Sequence, residues 1–528
     1  MPPSVPPFPP SDPPRPELVE LRARLQATTD AGRPEATARR HAAGKRTARE
    51  NVDALVDAGT FFEHGALALA AQRRRHSVEH LIQASPADGI VCGVGTINGA
   101  TFGPSARAMI LAYDYGVFAG TQGFIGHKKL DRMLALAAEE ELPVVLFAEG
   151  GGGRPNDTDA ALVAGLDTPS FLRMASLAGR VPSVGIASGR CFAGNAALLG
   201  CCDVIIATED SSIGMGGPAM IEGGGLGIVS PEQVGPIDAQ TKSGVVDVRV
   251  PTEVEAVAVA KTYLAYFQGR VRSFEANDQA SLRGALPERR RRAYKIRPIL
   301  ETLADCGSVL ELRPTFGRSV VTALARFEGA PVGVLANDPY HLGGAIDADA
   351  ADKAARFLLL CEAHGLPIVS LCDTPGFMVG PDAERTGLVR HVSRMFVAAS
   401  RLTVPYFCVV LRKGYGLGAQ AMAGGHFHAP WFTVAWPTGE FGGMNLEGAV
   451  RLGMKKELAA IADDAQRERA FQGAVAEAHE RGKAISMASV LELDAVIDPA
   501  ETRRWILQGL ARAPEREGKR GRGMLDTW

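Results

Sequence analysis

The second half of this chain repeats the first, and no other feature of the sequence restricts the fold as strongly. Residues 51–65 (NVDALVDAGTFFEHG) have a counterpart in 299–313 (ILETLADCGSVLELR), and VGTINGA is answered by ARFEGAPVG. Residues 141–154 (ELPVVLFAEGGGGR) are answered by 365–378 (GLPIVSLCDTPGFM), each an apolar strand running into Gly or Pro. Residues 181–198 match 404–422, and IGMGGPAM at 213–220 is echoed by GEFGGMNL. After the first few elements the offset holds at roughly 225 residues, the period of a duplicated domain and not of a solenoid. A chain of 528 residues is in any case too long for one ordinary core. Each half reads strand, glycine cluster, helix, strand: IVCGVGTING at 90–99, the helical spacing of LDRMLALAAEEE, then LPVVLFAEGGGG at 142–153. That order is the α/β signature. Two similar α/β domains are predicted, and the question becomes what sits between them.

The rest of the chain is divided around this pair. Residues 1–16 are Pro-rich and are expected to form a leader without a packed role. The first domain is placed at 17–285, beginning with a charged helical stretch that contains GKRTAREN. LPERRRRAYKIR marks a basic connection at 286–298, whose arginines Arg289 to Arg292 read as a solvated edge. The second domain is placed at 299–512, followed by a loose charged tail at 513–528.

Composition removes several function classes. The formal net charge is −2 and aromatics are only 6%, which argues against nucleic acid and anionic membranes as partners. No apolar run approaches the ~20 residues of a membrane span, and the first residues lack the pattern of a secretory signal. A cytoplasmic enzyme is expected. None of the eight cysteines form a C-x-x-C pair, and most lie in apolar stretches that suit buried thiols. No phosphate loop, G-x-S-x-G elbow or H-E-x-x-H helix is present. His426 and His428 lie two apart without an acidic or Cys partner nearby, so no metal site is predicted. GGGLG at 223–227 lacks the surroundings of a dinucleotide site.

What remains is glycine at strand-to-helix junctions, two in each half: 150–153 with 191–196 (CFAGNA), and 374–377 (TPGF) with 414–420 (GYGLGAQ). Missing side chains let a substrate oxygen approach successive backbone N–H groups, as a developing thioester enolate requires. A lone cluster would be explained by tight turns and close packing. Four clusters at repeated positions favour a functional reading.

The motifs then become specific. GKRTARE at 44–50, GVGTING at 93–99, GGR at 152–154, VGVLANDP at 332–339, KAARF at 353–357, DTPGF at 373–377 and AWPTGE with EGAV over 435–450 occur in order. Together they resemble the carboxyltransferase (beta) subunit of biotin-dependent acyl-CoA carboxylases, the propionyl-CoA and methylcrotonyl-CoA carboxylase family of the crotonase superfamily. CFAGNAALLGCCDVIIA also resembles the crotonase oxyanion loop and helix.

The resemblance implies two tandem crotonase-like ββα-superhelix domains, with acyl-CoA held mainly by the first and biotin by the second. One backbone oxyanion pair falls on Gly151 and Gly152, the other on Leu417 and Gly418. Gly150, Gly153, Arg154, Lys129, Ala193 and Gly194 would line the acyl-CoA side, with Lys129 a candidate for a CoA phosphate. Thr374, Pro375, Gly376, Phe377, Tyr415, Gly416 and Gln420 would serve biotin and specificity. The chain departs from the family pattern at Gly150 (Ser), Gly153 (Ala), Leu417 (Gly) and Gln420 (Asp), and the last two are expected on the floor of the substrate pocket. Carboxybiotin would release CO2, its urea enolate would take the α-proton of the acyl-CoA, and the thioester enolate would attack CO2. No protein acid or base is then required. A biotin carboxylase/biotin carboxyl carrier (alpha) subunit is expected to bring the biotin, since no A-M-K-M-like motif is present, and a homohexamer built from dimers is implied. Three other readings stay open at this stage. These are a decarboxylase or transcarboxylase using the same site, a crotonase-like hydratase or isomerase relying on Glu149, and a non-catalytic scaffold subunit.

Overall fold

The computed structural model describes residues 14–159, 164–513 and 525–528. The leader expected at 1–16 therefore lies almost wholly outside the described residues, as does most of the tail.

Two sheets carry the fold. In the first half the strands are β1 (Phe62–His64), β2 (Ile90–Thr96), β3 (Arg107–Tyr113), β4 (Val144–Phe147), β5 (Ser183–Ala187), β6 (Arg190–Phe192), β7 (Val204–Thr208), β8 (Ser212–Gly214) and β9 (Val248–Val250). In the second they are β10 (Leu310–Leu312), β11 (Val320–Phe327), β12 (Ala330–Asn337), β13 (Ile368–Thr374), β14 (Tyr406–Tyr415), β15 (Phe432–Ala435), β16 (Glu440–Gly442) and β17 (Ala495–Val496). The sheet orders are β1-β2-β3-β4-β5-β7-β9 and β10-β11-β12-β13-β14-β15-β17. They match place for place. In both, the first three strands are antiparallel and the rest are parallel. The one difference is instructive: β5 and β6 are interrupted at Ser188 and Gly189, whereas β14 runs unbroken and pairs both β15 and β16.

Parallel neighbours require crossovers, and the first in each half is a long helix. Phe124–Glu139 turns Leu130, Met133, Leu134 and Ala137 inward at spacings of three and four. Its counterpart Ala348–His364 starts on Asp347, whose side chain accepts the Ala350 N–H at 2.9 Å, and ends on left-handed Gly365. Such a cap contributes about 1 kcal/mol.

One apolar core joins the halves. The helix Glu253–Gln268 contributes Ala256, Val257, Ala260 and Leu264 to the same buried cluster as Ala351, Ala354 and Leu358. Buried polar contacts cross the seam too: Arg313 Nε lies 3.0 Å from Asp247 Oδ1, and His364 Nε2 lies 2.8 Å from Asp203 Oδ2. Arg289 to Arg292 are exposed, as a solvated edge requires, but the connection at 286–298 that carries them is docked on the second half. Tyr294 and Ile296 are buried in the second half's core, and Arg291 pairs with Glu447. Nor is the end of the chain loose. Leu525 is buried in the shared core, and the Trp528 ring lies 5.6 Å from that of Phe316 with the Arg313 guanidinium over it.

Candidate functional site

The duplicated topology brings two pairs of strand-to-helix junctions into equivalent positions. β4 runs into the loop 150–154 and β13 into 374–378. Gln122 N–H donates to Gly152 O at 2.7 Å, and Gln122 O accepts from Arg154 N–H at 2.8 Å. Ile346 repeats this with Gly376 O at 3.1 Å and Met378 N–H at 2.8 Å. The second junction of each half is the helix Gly194–Gly200 or Gly416–Met422.

In the first half, Gly150 N–H donates to Arg190 O at 2.8 Å and Gly151 N–H to Ala119 O at 3.2 Å. Gly152 N–H donates to the fully buried Asn195 Oδ1 at 3.0 Å, and Asn195 Nδ2 donates to Gly120 O at 3.3 Å. Gly152 holds φ +88°, and a Cβ there would lie 2.7 Å from the Ala193 Cβ, so only glycine fits. Its counterpart Gly376 has φ +121°. Gly151 and Gly153 are exposed. The oxyanion pair expected on Gly151 and Gly152 is not free, because both N–H groups are donated within the fold; among the described residues the Gly153 N–H finds no acceptor. Ala193 caps the helix with φ 50°, and Gly194 follows it half-buried. A cavity of about 220 Å³ opens beside Gly151, walled by Tyr115, Ala119, Phe192 and Met220.

Two of the expected ligands are instead part of the scaffold. Lys129 is only 9% exposed and its ammonium donates to Ala87 O (2.8 Å) and Ile90 O (2.6 Å), tying down the turn before β2. Lys353, in the equivalent helix, does the same to Phe316 O (3.0 Å) and Val320 O (2.7 Å). Burial lowers both pKa values, Lys353 to about 7. A buried ammonium with its donors on backbone carbonyls has no face for a phosphate, so the CoA-phosphate expectation for Lys129 is withdrawn. Arg154 is likewise buried, 2.5 Å from Asp88 Oδ1 and over the Phe118 ring. It braces the loop 150–154 from behind.

In the second half, Leu417 and Gly418 occupy the second and third positions of their helix, where backbone N–H groups have no intrahelical acceptor. Gly418 permits a close approach: a Cβ would lie 2.7 Å from Gly376 Cα. The two junctions thus touch. Thr374 Oγ1 donates to Gly344 O at 2.8 Å and accepts the Gly376 N–H at 3.1 Å, while Phe377 packs on Phe396. Pro375 and Gly416 are half-buried between them. Tyr415 is buried, which pushes its phenol pKa up, with Glu440 adding to the rise. A cavity of about 600 Å³ is lined by Gly414, Gly416, Gln420, Phe441, His426 and His428, among others. Of the two residues expected on the pocket floor, Gln420 lines this cavity. Leu417 does not; it is 61% exposed and faces outward.

Sequence reasoning missed the groups that hold the junctions. Asn195 lay inside a motif read only for its glycine. Glu149, weighed as a hydratase base, is engaged by Arg40: Nη1 to Oε1 at 3.1 Å and Nη2 to Oε2 at 2.7 Å. Burial raises its pKa against the pull of that Arg. The thiols of Cys191, Cys361, Cys372 and Cys408 are buried, and burial raises their pKa, so none is primed as a nucleophile. Among the described residues no group of three or more His, Cys, Asp or Glu could hold a metal ion, and no helix is long and apolar enough to cross a membrane.

Comparison with known proteins places these junctions in context. The carboxyl transferase domain model matches residues 39–520. The propionyl-CoA carboxylase beta chain of Saccharopolyspora erythraea is 29% identical over 94% of this chain and 92% of its own. The biotin-dependent long chain acyl-coenzyme A carboxylase beta4 subunit of Mycobacterium tuberculosis is 31% identical over 92% of each. Among solved structures, a single-chain, multi-domain long-chain acyl-CoA carboxylase superposes with a TM-score of 0.89 at 58% identity. That match covers 94% of this chain, which spans about half (49%) of the larger protein. The transcarboxylase 12S subunit, whose structure describes hexamer assembly and bound methylmalonyl-coenzyme A, superposes at 0.82 with 29% identity over 95% of this chain and 97% of its own. With matching fold, matching motifs and a family model spanning nearly the whole sequence, this chain belongs to the carboxyl transferase family, as two tandem crotonase-like domains of the acyl-CoA carboxyltransferase subunit of biotin-dependent carboxylases.

Proposed function

We propose that the first half of this chain holds an acyl-CoA thioester over the loop 150–153 and that the second half holds the biotin ring against the helix start at 416–418. The observation that supports this division is the difference between two otherwise equivalent junctions. In the first half Asn195 fills the space at the helix start, and the apolar cavity opens beside Gly151. In the second half Gly418 stands at that position and brings its backbone against Gly376, while Leu417 turns outward and the flanking Gly416 and Gln420 line the larger cavity. Backbone N–H groups at both places suit oxygen atoms that gain negative charge.

Carboxybiotin, when bound, supplies the CO2. The chain's own residues hold and orient: the Gly153 N–H at the thioester, on a loop that Gly151 and Gly152 fix through Ala119 and Asn195, and Leu417 and Gly418 at the urea carbonyl, with Thr374 fixing the loop that Gly418 touches. Such positioning lowers the barrier through orientation and preorganised electrostatics. Glu149 is committed to Arg40, which disfavours a hydratase or isomerase reading.

The biotin is proposed to arrive on a biotin carboxylase/carrier (alpha) chain, with this chain assembled in the cytoplasm as a homohexamer of dimers. The exposed apolar residues Met215, Met220, Val379 and Leu417 are the kind a subunit contact would cover. Long-chain acyl-CoA is the favoured substrate class, because identity to the long-chain carboxylase is 58% against 29% to a propionyl-CoA carboxylase beta chain. The test is incubation with a biotin carboxylase/carrier partner, ATP and labelled bicarbonate across an acyl-CoA chain-length series. Label in a long-chain product is expected. Label in none of the series would overturn the carboxyltransferase assignment, and a stable, active monomer by mass measurement would overturn the assembly.

A further inference from the structure

We propose that Glu149 and Asp373 are positioning residues, a pair of buried carboxylates that lock each glycine junction to the segment of chain entering its half. Each is the residue immediately before its loop, at equivalent places in the repeat. The inference rests on the division of the site given above.

Asp373 is fully buried at the step where the β13–β14 register shifts, between Cys372 and Thr374. Its Oδ2 accepts from Tyr294 OH at 2.7 Å and from Arg412 Nε at 3.1 Å, and its Oδ1 accepts the Lys413 N–H at 3.1 Å. Arg412 Nη1 then reaches Arg290 O at 3.0 Å and Arg292 O at 2.9 Å. One carboxylate therefore joins the loop of 374–377, the end of β14 that leads into Leu417 and Gly418, and the basic connection. That connection crosses as a docked strap because Asp373 holds it.

The first half reaches the same arrangement with different residues. Glu149 is bound by Arg40, whose Nε and Nη2 also donate to Arg46 O at 3.1 and 3.0 Å. An arginine again bridges the carboxylate and backbone carbonyl groups of the entering segment. The position equivalent to Arg412 is Gly189, where a Cβ would lie 2.8 Å from Glu149 Oε1. Absence of a side chain there admits the longer Glu and lets the arginine come from the N-terminal helix Pro34–Ala42 instead of the strand. Buried charge of this kind is unsatisfactory without its partner, so the two clamps have been solved twice and independently. A packing role alone would not require a carboxylate directly behind both loops.

The test uses the full chain with a 2-carboxylated long-chain acyl-CoA as carboxyl donor and free biocytin as acceptor, which reads each side of the site as a separate KM. Asp373→Asn is expected to raise KM for biocytin about ten-fold or more while KM for the carboxylated acyl-CoA stays within about two-fold. Glu149→Gln is expected to do the reverse. Tyr294→Phe and Arg40→Gln, which keep the carboxylates, should give the same patterns in weaker form, and they carry the test if the carboxylate variants do not fold. If both KM values move together, or neither moves while the melting temperature falls, the residues are structural and the proposal is overturned. If the two patterns are exchanged, the clamps stand and the assignment of the halves falls.

Discussion

Gly152→Ala is the substitution that most directly probes the acyl-side junction. At φ +88° a side chain is strained by ~1–3 kcal/mol whatever the space around it. The space is also lacking. The new Cβ would lie 2.7 Å from the Ala193 Cβ, against ~3.5–4.0 Å for a comfortable carbon contact, so one of the two must retreat by roughly 1 Å. Ala193 caps the helix Gly194–Gly200 and already holds φ 50°, which leaves the loop as the part that gives. A misplacement of ~1 Å in a positioning element costs ~10²-fold in rate, or about 2.7 kcal/mol of transition-state stabilisation. The assay is the initial rate of acyl-CoA carboxylation with biotin carboxylase/carrier present, and kcat/KM for acyl-CoA should fall by that factor. Gly153→Ala is the control. Its Cβ meets no atom within 4 Å and its φ lies outside the left-handed region, so its kcat/KM should stay within ~2-fold. The reasoning fails if Gly152→Ala keeps the parent kcat/KM, or if Gly153→Ala loses as much.

Three further outcomes can be measured. Lys353 holds a pKa of about 7 because it is buried, whereas in the unfolded chain a lysine keeps its proton to ~10.4. The unfolded state binds more protons in that window, so folding stability should rise with pH above about 7. Urea midpoints at about pH 6 and pH 9 should diverge more for the parent than for Lys353→Met, and parallel shifts would refute the assignment. Gln420→Asp places a carboxylate on the wall of the larger cavity, on the side proposed for biotin, where it should raise KM for free biocytin by about ten-fold and leave the kcat/KM ratio across an acyl-CoA chain-length series unchanged. A shifted ratio with an unchanged biocytin KM would place the acyl tail in that cavity instead. Asn195→Leu strands the buried Gly152 N–H and Gly120 carbonyl, and should lower stability by ~1–3 kcal/mol for each by urea titration, with no loss counting against the role given to Asn195.

The fold was readable from the sequence because a duplication acts on backbone elements. Apolar strands running into Gly or Pro recur at one offset, and both sheets follow that pattern strand for strand. The junction glycines were readable for a similar reason, since close approach and positive φ demand glycine itself. Side chains that act across the fold were not. Lys129 sits in a helix that a reader takes to have a wet face, and only the turn at 87–90 packed over it makes the ammonium a brace. One local signal was available: Lys353 lies at the same repeat offset in KAARF, and a lysine kept at equivalent helical positions suggests a scaffold role in both. Glu149 and Arg40 stand 109 residues apart, and Asp373 and Tyr294 stand 79 apart, so spacing offered no clue to either pair.

Divergence between the repeats carries the functional information that their likeness cannot. Both halves present the same loop and the same helix start, so an unmodified duplication would make two equal sites. The differences fall at a few equivalent positions. Asn195 in the first half closes the helix start onto Gly152 through its side chain, while Gly418 in the second brings backbone against Gly376. Gly189 makes room for a clamp from the N-terminal helix, while Arg412 supplies one from within the sheet. Each exchange changes what the backbone N–H groups can reach without moving the backbone itself. One half can thereby become specialised for a thioester and the other for a cyclic urea while the shared core between them stays intact. Asn195→Gly, which gives the first half the residue that Gly418 provides in the second, should therefore raise KM for acyl-CoA and leave KM for free biocytin within ~2-fold. If KM for acyl-CoA did not move, the division of labour would have to lie elsewhere in the two cavities.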